Sequence, residues 1–206
     1  MKIVKASAEI IAATDNIEQL LELAGRVCYK SEDRITADSA CGFIQRMHDS
    51  KHESVLEHAA ITVRFVCDRG VSHELVRHRL ASFSQESTRY CNYGKDKFGN
   101  EITVIEPCFW DEEENEAEYW HWYNACKTAE ECYFALIHLK RTPQEARSVL
   151  PNSLKTEVVM TANPREWWHI FKLRCSQQAH PQMREVMIPL RDEFAQRWPT
   201  LFGGLA

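Results

Sequence analysis

From Ala60 to Cys67 the chain alternates, with Ile61, Val63 and Phe65 on one side and Thr62, Arg64 and Val66 on the other. Successive side chains of a strand point to opposite faces, so this stretch reads as a half-buried β-strand. Asp68-Arg69-Gly70 turns the chain, and Ser72 can cap a helix to Ala81 with Val71, Leu75, Val76 and Leu80 on one face. Arg77 and Arg79 are too close in sequence to share a helical face. The hydroxyl- and amide-rich run from Ser82 to Thr88 suits a turn better than a helix interior.

The other elements follow the same signals. Ile3 to Ala8 makes a short strand. Asp15 with Glu18 opens a helix carrying Ile17, Leu20, Leu21, Ala24 and Val27, and a second helix from Ala37 to His48 buries Ala40, Phe43, Ile44 and Met47. Ile102 to Ile105 is a strand stopped by Pro107. Asp111 to Lys140 is a long helical stretch, acidic at its start, with an apolar stripe through Tyr119, Trp122, Tyr123, Cys126, Ala129, Tyr133, Leu136 and Ile137. Such a stripe signals packing, within the chain or between subunits. Thr142-Pro143 starts a short helix ending near Leu150-Pro151, and Lys155 to Thr161 is a strand. Asn163-Pro164 caps and opens a helix to Arg174, and His180-Pro181 begins a last helix that Pro189 kinks.

Length and composition narrow the classes of function. The 206 residues fit one domain, 1–206, without repeat, linker or low-complexity segment. The formal charge of −5 makes any basic cluster a local feature and argues against a general nucleic-acid binder. The amino terminus lacks a signal-peptide core and no stretch reaches transmembrane length, so a cytoplasmic protein without membrane contact is expected. The eight cysteines form no Cys-x-x-Cys pair and read as reduced, mostly core residues, with no metal site. Neither a Gly-x-Gly-x-x-Gly nor a Walker-type loop is present, so a bound nucleotide would be held by other means.

Such means exist. Arg77 to Tyr90 packs three arginines, a histidine, three serines and a threonine into fourteen residues. Arginine forks and hydroxyls converging at a helix end can cradle a phosphate or a planar polar ring. On residue chemistry alone the stretch fits an exposed basic helix end equally well. Lys51 to His58 adds His52 and His58, six apart, a spacing that fits no helical zinc pair. Two other classes therefore stay open: a non-catalytic phosphate-, nucleotide- or RNA-binding module, and a metal-dependent hydrolase using His52, His58 and His73.

The triplet Arg77-His78-Arg79, followed by seven residues and then Ser87, resembles the signature of flavin-dependent thymidylate synthases. Ser82, Arg89 and Tyr90 extend the likeness, although Ser84 stands where that family has asparagine. Three further blocks agree in order: His52 to His58, Arg147-Ser148-Val149-Leu150-Pro151, and Asn163 with Arg165, Leu173 and Arg174. The resemblance implies an α+β fold, a single domain with a central antiparallel sheet flanked by helices, including the long aromatic-rich one. It implies methylation of dUMP to dTMP, with methylenetetrahydrofolate as one-carbon donor and NADPH as reductant through FAD. No cysteine nucleophile is required. Arg174 would be catalytic, hydrogen-bonding the uracil ring as charge develops on it. Glu74, Leu75, Val76 and Arg77 would line the nucleotide pocket with Gln85, Glu86, Ser87, Thr88, Arg89, Arg147 and Arg174, with Arg89 and Arg147 on the phosphate. FAD would meet His52, Ser54, Arg77, His78, Arg79, Gln85, Asn163, Arg165 and His169. The family implies a homotetramer with shared active sites.

Overall fold

In the computed structural model, residues 1–205 are described. In chain order the elements are β1 (Lys2–Val4), β2 (Ser7–Ala13), α1 (Ile17–Val27), α2 (Ser39–Asp49), β3 (Ile61–Asp68), α3 (Arg69–Leu75), β4 (Ser82–Gln85), β5 (Thr103–Ile105), α4 (Glu116–His138), α5 (Pro143–Ala146), β6 (Lys155–Ala162), α6 (Pro164–Arg174), α7 (Pro181–Arg197) and α8 (Pro199–Phe202). Short 3₁₀ turns fill several connections, among them Glu53–Glu57 and Arg147–Val149. The class is α+β.

Strands β2, β3, β6 and β4 form one sheet in that order, and β1 pairs with β5 in a separate parallel ribbon that sets Ile3 opposite Val104. The sheet's direction is visible in its partners. Glu9 meets Arg64 at 2.7 Å while Thr14 meets Ala60 at 2.9 Å, so β2 and β3 run antiparallel. Likewise Thr62 faces Thr161 at 2.9 Å and Arg69 bonds the Asn152 carbonyl at 3.0 Å, which makes β3 and β6 antiparallel. The alternation read from Ala60 to Cys67 is realised: Ile61, Val63, Phe65 and Cys67 are fully buried.

Two compact units are formed. The first comprises Met1–Ser7, Phe65–Arg77 and Ser84–Val158. Its core gathers Tyr119, Trp122, Cys126 and Tyr133 of α4 around Tyr93, Ile102, Val104, Ala146 and Leu154. The aromatic stripe is therefore intramolecular packing at these four positions. Indole Nε1 of Trp122 donates to Ser153 Oγ at 3.0 Å, as a half-polar aromatic ring does when it is buried. Helix α4 starts at Glu116, later than the acidic run from Asp111. Asp111 instead spends its carboxylate on the backbone N–H groups of Glu113 and Glu114, an Asx-type turn that competes with helix.

The second unit comprises Ala8–Arg64, His78–Phe83 and the chain from Val159 onward. Trp167 and Phe171 of α6 pack with Phe194 of α7 and Phe202 of α8, ring centroids 5.0 to 6.3 Å apart. Trp167 Nε1 donates to the Ile61 carbonyl at 3.1 Å, tying α6 to β3. Helices α1 and α2 meet at Gly25, where an added Cβ would overlap the Phe43 ring and lie 3.3 Å from Val55 Cγ1.

Three expectations are corrected. Helix α3 begins at Arg69, because Asp68 rather than Ser72 is its cap: the Asp68 carboxylate accepts from Val71 N at 2.7 Å. Ser72 lies buried inside the helix, its hydroxyl donating to the Arg69 carbonyl at 2.9 Å. The helix consequently ends at Leu75, Leu80 is 78% exposed, and Ser82–Gln85 pairs as a strand instead of turning. The cysteines are not mostly core. Cys67 and Cys126 are buried, but Cys28, Cys41, Cys108 and Cys132 are exposed. Finally, the amino-terminal strand is two, β1 and β2.

Candidate functional site

The first unit holds a cavity of about 730 Å³ walled by Arg69, His73, Thr88, Gln144, Arg147 and Asn152 among others. Its geometry follows from two junctions. At the start of α3, Arg69 N donates to the Asn152 carbonyl, and Gly70 passes so near that an added Cβ would stand 2.8 Å from Asn152 Nδ2. On the cavity wall, Arg147 Nη1 donates to Thr88 Oγ1 at 3.2 Å. Arg147 itself sits just past a capping box, where Thr142 and Glu145 satisfy each other's backbone and side chain. An arginine, a second arginine, a histidine and a buried hydroxyl on one concave wall suit an anion with several oxygens.

The loop beyond β4 carries Ser87, Thr88 and Arg89. Ser87 folds it: its carbonyl accepts from Tyr90 N and Cys91 N at 3.1 and 2.9 Å, and its hydroxyl from Arg89 N at 3.3 Å. The loop is anchored at both ends. Gln85 Nε2 donates to Ser72 Oγ at 3.0 Å and Thr156 Oγ1 at 3.3 Å. Glu86 accepts from Lys155 Nζ at 3.0 Å and from the Tyr93 hydroxyl at 3.2 Å, and Lys155 also reaches Glu157 at 2.7 Å. Burial works against the Lys155 charge, yet the hydrogen bonds to Glu157 and Glu86 outweigh it and hold the ammonium above its usual range. Burial, with Glu86 beside it, pushes the Tyr93 phenol up. Lys155 and Tyr93 were invisible as site residues in the sequence, since a lysine opening a strand carries no motif. At the end of α3, the Leu75 side chain is fully buried, while Val76 and Arg77 are exposed. Arg89 is exposed, its guanidinium 5.4 Å from the Tyr90 ring centre.

The second unit gathers the remaining candidates around α6. Asn163 caps it by accepting from Glu166 N at 2.8 Å, with Pro164 in the first turn. Arg165 is exposed and ion-paired to Glu53 and Glu57 of the 3₁₀ turn that also contains Ser54. His52, Ser54, Arg79 and His169 are exposed. His78 is 4% exposed, and its ring is engaged: Arg174 Nε donates to His78 Nε2 at 3.0 Å, and Glu166 Oε1 lies 3.4 Å from Nδ1. Burial, with Arg174 and His169 nearby, pulls the imidazole down to about 4. Burial also holds the Glu166 carboxyl above its ordinary range. Glu166 escaped the sequence reading because a glutamate in a first helical turn is explained by the helix dipole alone.

Among the described residues no group of three or more His, Cys, Asp or Glu is placed to hold a metal ion. Nor is any helix there long and apolar enough to cross a membrane.

Residues 9–200 match the family model described as thymidylate synthase complementing protein. The chain belongs to the flavin-dependent thymidylate synthase family. A flavin-dependent thymidylate synthase of Geobacter sulfurreducens is 32% identical over 94% of this chain and 84% of its own length. One from Corynebacterium efficiens is 34% identical over 90% of this chain and 78% of its own. The family's fold is met again in a crystal structure of a UMP/dUMP methylase, PolB, from Streptomyces cacaoi bound with 5-Br dUMP. That structure has a TM-score of 0.80 at 23% identity, covering 98% of this chain and 96% of that one.

Proposed function

We propose that this flavin-dependent thymidylate synthase family member converts dUMP to dTMP. Methylenetetrahydrofolate donates the one-carbon unit, and NADPH supplies reducing equivalents through FAD. The observation that carries the reading is the Arg147–Thr88 hydrogen bond on the wall of the Arg69-lined cavity, a set of cationic and hydroxyl groups of the kind that suits a nucleotide phosphate. Arg147 and Arg89 hold the phosphate, with backbone donors of the Gln85–Thr88 segment. Ser87 lies beside the uracil, and Glu74, Leu75, Val76, Arg77 and Glu86 shape the pocket. Leu75 contributes through its backbone, given its buried side chain, and Glu86 through the loop it anchors. Arg174 hydrogen-bonds the uracil and stabilises negative charge as it develops on the ring.

The donor set assigned to FAD fits a dinucleotide: arginines and histidines, all exposed but the buried His78, for the pyrophosphate and ring edges, in a chain without glycine-rich loops. Its members are His52, Ser54, Arg77, His78, Arg79, Gln85, Asn163, Arg165 and His169. The bound flavin supplies the hydride chemistry that no side chain of this protein can. Arg165, already paired with Glu53 and Glu57, exchanges carboxylate for phosphate partners, or keeps them and orients the 3₁₀ turn bearing Ser54. The whole chain works as one domain, in the cytoplasm, as a homotetramer with shared sites and no nucleic-acid partner.

The test is direct. Purified protein incubated with dUMP, methylenetetrahydrofolate, NADPH and FAD should yield dTMP, and its flavin absorbance should bleach faster with NADPH when dUMP is present. A colourless protein that takes up no added FAD and forms no dTMP would overturn the proposal and leave a nucleotide-binding module as the better account.

A further inference from the structure

Behind Arg174 stands a second layer of polar groups that the reaction itself does not call for. A ring nitrogen that accepts a hydrogen bond cannot also carry a proton. Arg174 Nε–H donates to His78 Nε2 at 3.0 Å, so the His78 proton belongs on Nδ1. Facing that nitrogen at 3.4 Å is Oε1 of Glu166, itself only 6% exposed. The Glu166 backbone is held in turn, its N–H donating to the Asn163 cap at 2.8 Å. Glu166 and Arg174 ride on one helix, eight residues apart, and His78 bridges their side chains from outside it. His169 lies beside His78, the two ring centroids 5.9 Å apart and the rings inclined at 73°.

We propose that Glu166 is a positioning residue: by holding His78 in its Nδ1–H tautomer, it fixes the direction of the Arg174 guanidinium. The reasoning is one of matched donors and acceptors. With the carboxylate present, Nδ1–H has an acceptor and Nε2 offers its lone pair to arginine. Without it, a buried imidazole gains nothing from keeping its proton on Nδ1. A proton on Nε2 would then face Arg174 Nε–H, donor against donor, and the guanidinium would turn away. Since a bound reactant tolerates little misplacement of a catalytic group, a small rotation of Arg174 is costly. The role of Arg174 at the uracil rests on the proposed thymidylate synthase activity; the tautomer does not.

Two measurements on the full-length protein test this. Long-range ¹H–¹⁵N correlation spectra of ¹⁵N-histidine-labelled protein at neutral pH should show His78 protonated on Nδ1 and bare on Nε2. Glu166→Leu should move that population toward the Nε2–H form, and Glu166→Gln, whose amide oxygen still accepts, should largely preserve it. In turnover with saturating FAD, Glu166→Leu should lower kcat roughly ten- to a hundredfold, and Glu166→Gln should recover most of the loss. A wild-type His78 protonated on Nε2 would overturn the proposal. So would a folded Glu166→Leu enzyme with native kcat, or a Glu166→Gln enzyme as impaired as the leucine variant. Native protein that shows the Nδ1–H tautomer yet forms no dTMP would instead remove the functional reading, and with it any catalytic role for the support.

Discussion

Arg147 and Thr88 illustrate what single side chains contribute. Their hydrogen bond spans 59 positions of sequence and joins a charged group to the hydroxyl of a residue that is 9% exposed. Hydrogen bonds to charged groups are worth about 1.5–3 kcal/mol, so Arg147→Ala is expected to raise the KM for dUMP by about 10- to 100-fold. Steady-state kinetics checks this, and an unchanged KM would remove Arg147 from the phosphate site. His78 makes a second residue-scale prediction. Its folded value near 4 lies below the ordinary 6.5, so the unfolded chain takes up the proton first as the pH falls. Stability is therefore present in full above pH 6.5 and lost as the pH drops toward 4. Thermal melts at pH 7 and pH 5 should show that loss, and it should shrink in His78→Asn. At this scale the sequence offered candidates where a motif names the residue, as with Arg147 and Arg174. It was silent on Glu166, Lys155 and Tyr93, whose importance lies in side-chain partners that no motif names: His78 for Glu166, and Glu86 for both Lys155 and Tyr93.

Among the elements, α6 and β6 were legible almost to the residue. Asn163 and Pro164 punctuate the helix start, and the run from Lys155 reads as a strand whose side chains alternate between buried and half-buried, so local chemistry and tertiary packing agree there. Asn163→Ala should cost about 1 kcal/mol by removing the cap; because the cap also pins Glu166, the same variant should disturb the His78 tautomer. Helix α3 was misplaced for a physical reason. Asp68 and Ser72 are both acceptable caps, and four residues separate the two registers. Burial of Ser72 and the junction of Arg69 with Asn152 favour the earlier one, and neither is a local property. The α1–α2 contact gives a further test. Gly25→Ala drives a methyl into the Phe43 ring, and overpacking of this kind costs about 1–3 kcal/mol. Urea denaturation should show it; a neutral result would mean that Phe43 can rotate aside freely.

For the molecule as a whole, the homotetramer is the proposal most open to measurement: sedimentation should give about four times the 24.0 kDa chain mass. Tyr119, Trp122 and Tyr133 of α4 are already buried in their own unit, so subunit contacts in such a tetramer would draw on other surfaces. By itself the sequence determined the class of fold, most of its elements in order and the family. Those depend on short-range patterns: alternation, helical periodicity, caps, and four motif blocks in order. Tertiary structure alone decided the partners. It set Glu86 between Lys155 and Tyr93, Gln85 across to Ser72 and Thr156, and His78 between Arg174 and Glu166. A buried polar group must find its complement wherever the packed chain brings one within about 3 Å, and no pattern along the sequence records that distance.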